Sequence, residues 1–280
     1  MGLEISGKEK KMKYLKNFYK YRYLLYEIVR KNIKLQYRNS VLGIFWTFLQ
    51  PLLTTIVLVI VFGGVFGSNR SETVNYPIYL LCGRLIYEFF SQSTKRAMRS
   101  IQNSASVIKK VYVPKYIYPL SNVIANFVTF VISLLVLVCF IVYFCLFSDK
   151  PPVISGYALL SPIPILILLI LSVGIGLILC TLQVFFKDIE YLYEVFCMLL
   201  FYMTPIFYHI DQLNITNKFF RMALMANPLY SITEMFRSCV LYGEMFNINH
   251  LLYSLGFALA TVVIGLFVFY KKQDKFILHI

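Results

Sequence analysis

Between residues 41 and 66 the chain carries no charged side chain, and a helix needs only ~20 residues to cross ~30 Å of hydrocarbon. No other feature constrains the fold as much. A stretch this long and apolar has a stable place where lipid is the solvent, and there the backbone must satisfy its own hydrogen bonds as a helix. Further uncharged runs lie at 118–147, 154–186 and 251–270. Two more segments are interrupted: 77–94 holds Arg84 and Glu88, and 191–210 begins beside Glu194. With hydrophobic residues at 59% against 14% charged, a soluble core could not hide the apolar surface. The expected fold is an all-α integral membrane protein. Its six transmembrane helices are placed at about 41–66, 77–94, 118–147, 158–186, 191–210 and 251–270.

Sidedness follows from the cations. Eleven Lys and Arg precede residue 41, six lie between Lys95 and Pro119, and Lys187 and three residues from Lys271 onward complete the set on one side. The positive-inside rule then puts both termini in the cytoplasm. Residues 1–40 are expected to be a basic tail plus an amphipathic interfacial helix, and 271–280 a cytoplasmic tail. On a helical projection Glu27, Arg30, Lys31, Lys34 and Arg38 share one arc, and Leu24, Leu25, Ile28, Val29 and Ile33 the other, as in helices that lie along a membrane surface. The net charge of +14 is clustered beside apolar runs, which fits anionic lipid or a cytosolic partner and argues against nucleic acid. The first long apolar run is too long for a signal peptide.

Between Thr204 and His250 the chain is too long for a turn and too apolar for a plain loop. Thr204-Pro205 is expected to break a helix, and Asn227-Pro228 to cap and open another through Met235 to Leu241, ending at Gly243. A re-entrant helical pair between the fifth and sixth spans fits this pattern; a helical cap lying on the outer surface is the plainer alternative.

Several constellations bear on chemistry. Arg84 and Glu88 stand four apart on one helix, so they can pair within a span; Arg before Glu is the weaker order, and a structural pair is the favoured reading. The inner loop at 106–115 mixes Val107, Ile108, Val111, Tyr112 and Pro114 with Lys109, Lys110 and Lys115. A helix docking into a cytosolic protein and a polybasic stop account for it equally well. Ser172, Gly176 and Cys180, with Gly174 beside them, mark close helix packing against an unspecified partner. Tyr191, Tyr193, Phe196, Phe201 and Tyr202 are candidates for lining a sugar passage, although interface belts use the same residues. Asp188, Glu190 and Glu194 read as a solvated charge run. The six cysteines form no C-x-x-C pair, and the three histidines show no metal-ligand spacing. No phosphate-binding Gly-rich loop occurs. No catalytic residue, metal site or cofactor is therefore expected in this chain.

Four stretches, read together, resemble the membrane subunits of type-2 ABC transporters, in particular exporters of lipid-linked polysaccharide, O-antigen and teichoic acid. They are Gln36-Tyr37-Arg38-Asn39-Ser40-Val41-Leu42-Gly43-Ile44-Phe45-Trp46 with Gln50-Pro51-Leu52; the segment Ile108 through Pro119; Leu182-Gln183-Val184-Phe185-Phe186-Lys187-Asp188; and Asn227-Pro228-Leu229 with Glu234-Met235-Phe236-Arg237. The resemblance implies a homodimer in a bacterial cytoplasmic membrane, bound to two copies of a separate ATPase subunit that holds ATP and Mg. It implies that Val107, Ile108, Lys109, Lys110, Val111, Tyr112, Pro114 and Lys115 form a coupling helix seated in that ATPase, and that Pro205, Asn227, Pro228, Glu234 and Arg237 mark a re-entrant pair. The implied cargo is a polymer on polyprenyl pyrophosphate, for which Arg30, Lys31, Lys34 and Arg38 are inner-mouth or gate candidates; anionic lipid is the stronger reading for any one of them. Arg84 departs from the family pattern, where an apolar residue is expected, and Lys115-Tyr116 stands where many members have Arg-Glu. No carbohydrate-binding extension is expected after Tyr270.

Three other functions compete. A drug exporter would share the architecture, a membrane-embedded glycosyl- or acyltransferase would need an acid, base or metal cluster, and an ion-coupled transporter would need midplane ionisable residues and an internal repeat.

Overall fold

The structure, a computed structural model, describes residues 19–38, 40–62, 75–111, 113–147, 155–208, 222 and 224–279. The described residues are helical and contain no strand. Helix α1 (Arg22–Gln36) is followed by α2 (Trp46–Phe62), α3 (Tyr76–Asn103), the short α4 (Ala105–Ile108), α5 (Ile117–Phe147) and α6 (Pro162–Phe185). Then come α7 (Ile189–Met203), α8 (Pro228–Arg237), α9 (Ile248–Lys272) and the short α10 (Phe276–His279).

Among the described residues, four segments are long and apolar enough to cross a membrane: Gly43–Phe62, Ile117–Phe147, Gly156–Phe185 and Ile248–His279. The other two expected spans differ from these for separate reasons. Helix α3 has the length, at 28 residues, but carries charge along one face. Helix α7 has 15 residues, about 22 Å of rise, and stops at Thr204-Pro205 instead of running on to 210.

The core is built around α3, the most buried helix, which packs on α5 and α6. Helices α6 and α9 meet where Gly174 and Gly265 let their backbones touch. A Cβ on Gly174 would lie 2.6 Å from Val262 N, and one on Gly265 would lie 2.7 Å from Gly174 O. Gly176 instead faces Ala97 of α3, at 2.9 Å from an added Cβ, and Cys180 Sγ sits 3.5 Å from Ser100 Oγ. The small-residue spacing thus serves two partners within this chain. Elsewhere α9 buries only Ser254, Ala258 and Phe269 beside Gly265, one narrow stripe on a helix otherwise turned outward.

Helix α1 lies against α5 with Val29 buried and Glu27, Arg30, Lys31 and Lys34 exposed, matching the two arcs of the projection. Pro51 lies within α2 and cannot donate to Thr47 O four residues back. Ser133 of α5 supplies that bond at 3.0 Å. A proline in an apolar helix is tolerated when a neighbouring hydroxyl takes over the freed carbonyl.

Candidate functional site

A cavity of about 510 Å³ opens on the side of α3, walled by Thr54, Val57 and Leu58 of α2 and Phe201 of α7. Helix α3 contributes Arg84, Tyr87, Glu88, Ser91, Gln92 and Lys95. These positions recur at steps of three and four, so they form one stripe along the helix. Arg84 Nε reaches Glu88 Oε2 at 3.5 Å, with both side chains less than a quarter exposed. Gln92 Nε2 donates to Glu88 Oε1 at 3.0 Å. The sequence-paired Arg84 and Glu88 therefore meet, and the structure adds Gln92, Ser91 and Lys95 to their wall, which sequence reasoning missed. The signal was present: a polar residue at every turn of a helix whose opposite faces are apolar.

A second, smaller chamber of about 50 Å³ lies between α2, α3 and α5, lined among others by Thr47, Gln50, Asn126, Thr129 and Ser133. Glu88 and Gln92 line both spaces. Asn126 is 2% exposed, and neither atom of its amide head has a partner. A polar chamber of this size accommodates water.

Helix α3 bonds to α7 and to the chain that follows it. Tyr87 Oη donates to Cys197 O at 2.7 Å, and Tyr79 Oη donates to Tyr208 O at 2.9 Å. Toward the C-terminal end, Arg99 Nη2 reaches Glu190 at 2.5 Å and Glu194 at 3.1 Å. Those two carboxylates are thus paired across helices, while Asp188 and Glu194 remain exposed as expected of a solvated run. Gln183 Nε2 adds a bond to Glu190 Oε2 at 3.2 Å.

Where α7 breaks, Asn227 joins the two segments. Its Oδ1 accepts from Leu229 N at 3.0 Å, capping α8, and its Nδ2 donates to Thr204 Oγ1 at 3.2 Å. Pro205 is buried, and Pro228 occupies the first turn of α8. Arg237, at 0% exposure, donates from Nη2 to Tyr79 O at 3.1 Å and Ile206 O at 3.4 Å, and from Nη1 to Glu234 Oε1 at 3.2 Å. Its guanidinium lies 3.4 Å from the centroid of the Tyr79 ring. Gly83 makes the space: a Cβ there would stand 2.5 Å from Arg237 Nη2. After Arg237 a π-helical turn, Ser238–Tyr242, ends at Gly243 with φ +63°, a conformation that glycine adopts without cost. The expected partner helix before Asn227 lies mostly outside the described residues.

The inner-loop candidates separate by exposure. Val107, Lys109, Lys110 and Val111 are exposed around the short α4, whereas Ile108 is buried in a cluster with Ile101, Tyr118 and Phe276. Lys115 turns back on the chain, donating to Gln273 O and lying 5.7 Å from the Phe276 ring. Its burial against this tail pulls the ammonium below its ordinary pKa, with Asp274 opposing. Pro114 is half-buried beside it, and Tyr112 lies outside the described residues. Arg30, Lys31, Lys34 and Arg38 are exposed on or just past α1 and do not converge with the α3 stripe. Of the aromatic candidates, Phe201 lines the cavity and meets Tyr87 edge-on at 5.1 Å. Tyr193 is buried, its hydroxyl 2.6 Å from Thr94 Oγ1, while Tyr191, Phe196 and Tyr202 face outward. No group of three or more His, Cys, Asp or Glu that could hold a metal occurs among the described residues.

Residues 23–241 match the ABC-2 type transporter family. The chain is 31% identical over 256 residues to the O-antigen export system permease protein RfbA of Klebsiella pneumoniae, covering 90% of this chain and 93% of that protein. It is 30% identical over 226 residues to RfbA of Myxococcus xanthus, covering 80% and 82%. It is also 22% identical over 251 residues to the polysialic acid transport protein KpsM of Escherichia coli, covering 87% and 91%.

Proposed function

This chain belongs to the ABC-2 type transporter family, and on that premise we propose that it is the membrane-spanning subunit of an ATP-driven polysaccharide exporter. The carrying observation is the near end-to-end likeness to O-antigen export permeases, at about 30% identity. The α3 cavity supports it: aromatic edges beside hydrogen-bonding groups are the surface that a sugar chain needs.

In this reading α3 and α7 are the second and fifth of six spans, with the charged face of α3 turned to a water-filled passage, where charge at membrane depth is tolerated. Both termini are cytoplasmic and α1 lies in the inner interface of a bacterial cytoplasmic membrane. The chain around α8 dips into the outer leaflet and returns. Two copies of the chain pair and bind two ATP-binding subunits, which hold ATP and Mg and do the hydrolysis. The exposed Val107, Lys109, Lys110 and Val111 provide the contact with those subunits, while Ile108 and Lys115 hold the loop to the membrane body. Arg30, Lys31, Lys34 and Arg38 receive the pyrophosphate of a polyprenyl-linked polymer at the inner mouth, since their donors suit phosphate oxygens.

Deleting the gene tests this. Surface polymer should disappear while lipid-linked polymer accumulates inside, and restoring the chain should reverse both. Unchanged surface polymer would refute the proposal.

A further inference from the structure

The α3 stripe carries more cations than carboxylates. Glu88 accepts from Gln92 at Oε1 and lies 3.5 Å from the Arg84 guanidinium, but its Oε2 makes no hydrogen bond. Arg84 Nη1 is likewise buried without a partner. Lys95, on the same cavity wall, has no hydrogen-bond or ion-pair partner among the described residues. The charged lining is thus two cations and one carboxylate. The carboxylate stands beside Arg84, which leaves the Lys95 ammonium as the surplus charge. A guanidinium within a span, and an unpaired ammonium at the inner end of that span, are costly unless something anionic or wet faces them. The two cations stand about 16 Å apart along the helix at 1.5 Å per residue, too far for one small anion to engage both backbone positions. A chain bearing repeated acidic groups matches that spacing.

We propose that the α3 cavity binds the acidic groups, carboxylate or phosphate, of a glycan chain, with Lys95 and Arg84 as the anion contacts. This rests on the exporter reading and narrows its cargo to acidic polymers. Glu88 and Gln92 hold the Arg84 guanidinium in place, and Tyr87 and Phe201 give an apolar edge against which a sugar ring rests. Glu88 also turns away acidic groups that approach out of register, because like charges at close range repel.

The test uses the complex of the full chain with its ATP-binding subunit in phosphatidylcholine nanodiscs. Binding of a galacturonate hexamer and of a neutral mannose hexamer is measured by calorimetry at low and high salt. The acidic hexamer should bind at least tenfold tighter, and the margin should shrink at high salt. Lys95→Gln should remove at least fivefold of that preference, Lys95→Arg should retain it, and both should leave mannose-hexamer binding within twofold. Arg84→Gln should act like Lys95→Gln, and if it fails to assemble, Lys95→Gln decides alone. Replacing phosphatidylcholine by phosphatidylglycerol should alter acidic-hexamer binding less than twofold. Equal affinity for the two hexamers, no binding of the acidic one, or an unchanged preference in Lys95→Gln would overturn the proposal. Displacement by phosphatidylglycerol would assign the cations to lipid head groups and overturn it as well. Surface polymer lost on deletion would still support the exporter reading after such a failure, so the two can fail separately.

Discussion

Arg237 and Arg84 are both arginines in the apolar body of this protein, and they are treated in opposite ways. Arg237 is fully enclosed. It has a carboxylate, two backbone carbonyls and a tyrosine face around it, and a glycine on α3 clears its space. Arg84 has one carboxylate, at 3.5 Å, and a cavity in front of it. The first arrangement ties three segments together where the chain is broken. The second lines an open space. Each keeps one buried nitrogen without a partner, Arg237 Nε and Arg84 Nη1; what separates the two sites is how many protein groups surround the charge and whether a cavity adjoins it.

The comparison can be broken by mutation, and the largest effect belongs to the clasp. Arg237→Ala leaves Glu234 and the Ile206 carbonyl inside without their partner and should cost about 3–5 kcal/mol, read as lost yield and a lower Tm in detergent. If Arg84→Ala costs as much, the distinction between the two arginines is wrong. Gly83→Ala drives a methyl into the Arg237 guanidinium and should cost about 1–3 kcal/mol; unchanged thermal stability would mean that the clasp has slack. Gly174→Ala should cost a similar amount by forcing α6 off α9, since the added Cβ meets backbone on the other side. Arg99→Gln should cost less than about 1 kcal/mol, because its pair with Glu190 and Glu194 is substantially exposed. Lys110→Ala should leave stability unchanged while weakening co-purification of the ATP-binding subunit; intact co-purification would move that contact elsewhere.

Much of the architecture was legible in the residues. The uncharged runs foretold α2, α5, α6 and α9 to within a few residues, because lipid imposes one length and one chemistry on a spanning helix. Asn227-Pro228 declared the start of α8 through capping alone. The contents of the site were only half legible. Arg84 and Glu88 could be paired from their spacing, since four residues is a contact within a helix. The Arg237–Tyr79 contact joins residues 158 apart in the chain, and no local pattern encodes it. The pairing of Glu190 and Glu194 with Arg99 was not legible, because Arg99 is on another helix. Lys115 looked like part of a projecting surface because Gln273 and Phe276, which hold it, come at the end of the chain.

The central claim is that this chain is a conduit powered from outside itself. Sealed vesicles holding it with lipid-linked polymer test that most directly, by following polymer appearing across the membrane with and without the ATP-binding subunit. The account predicts transfer only when that subunit and hydrolysable ATP are both present. Transfer by this chain alone would contradict it.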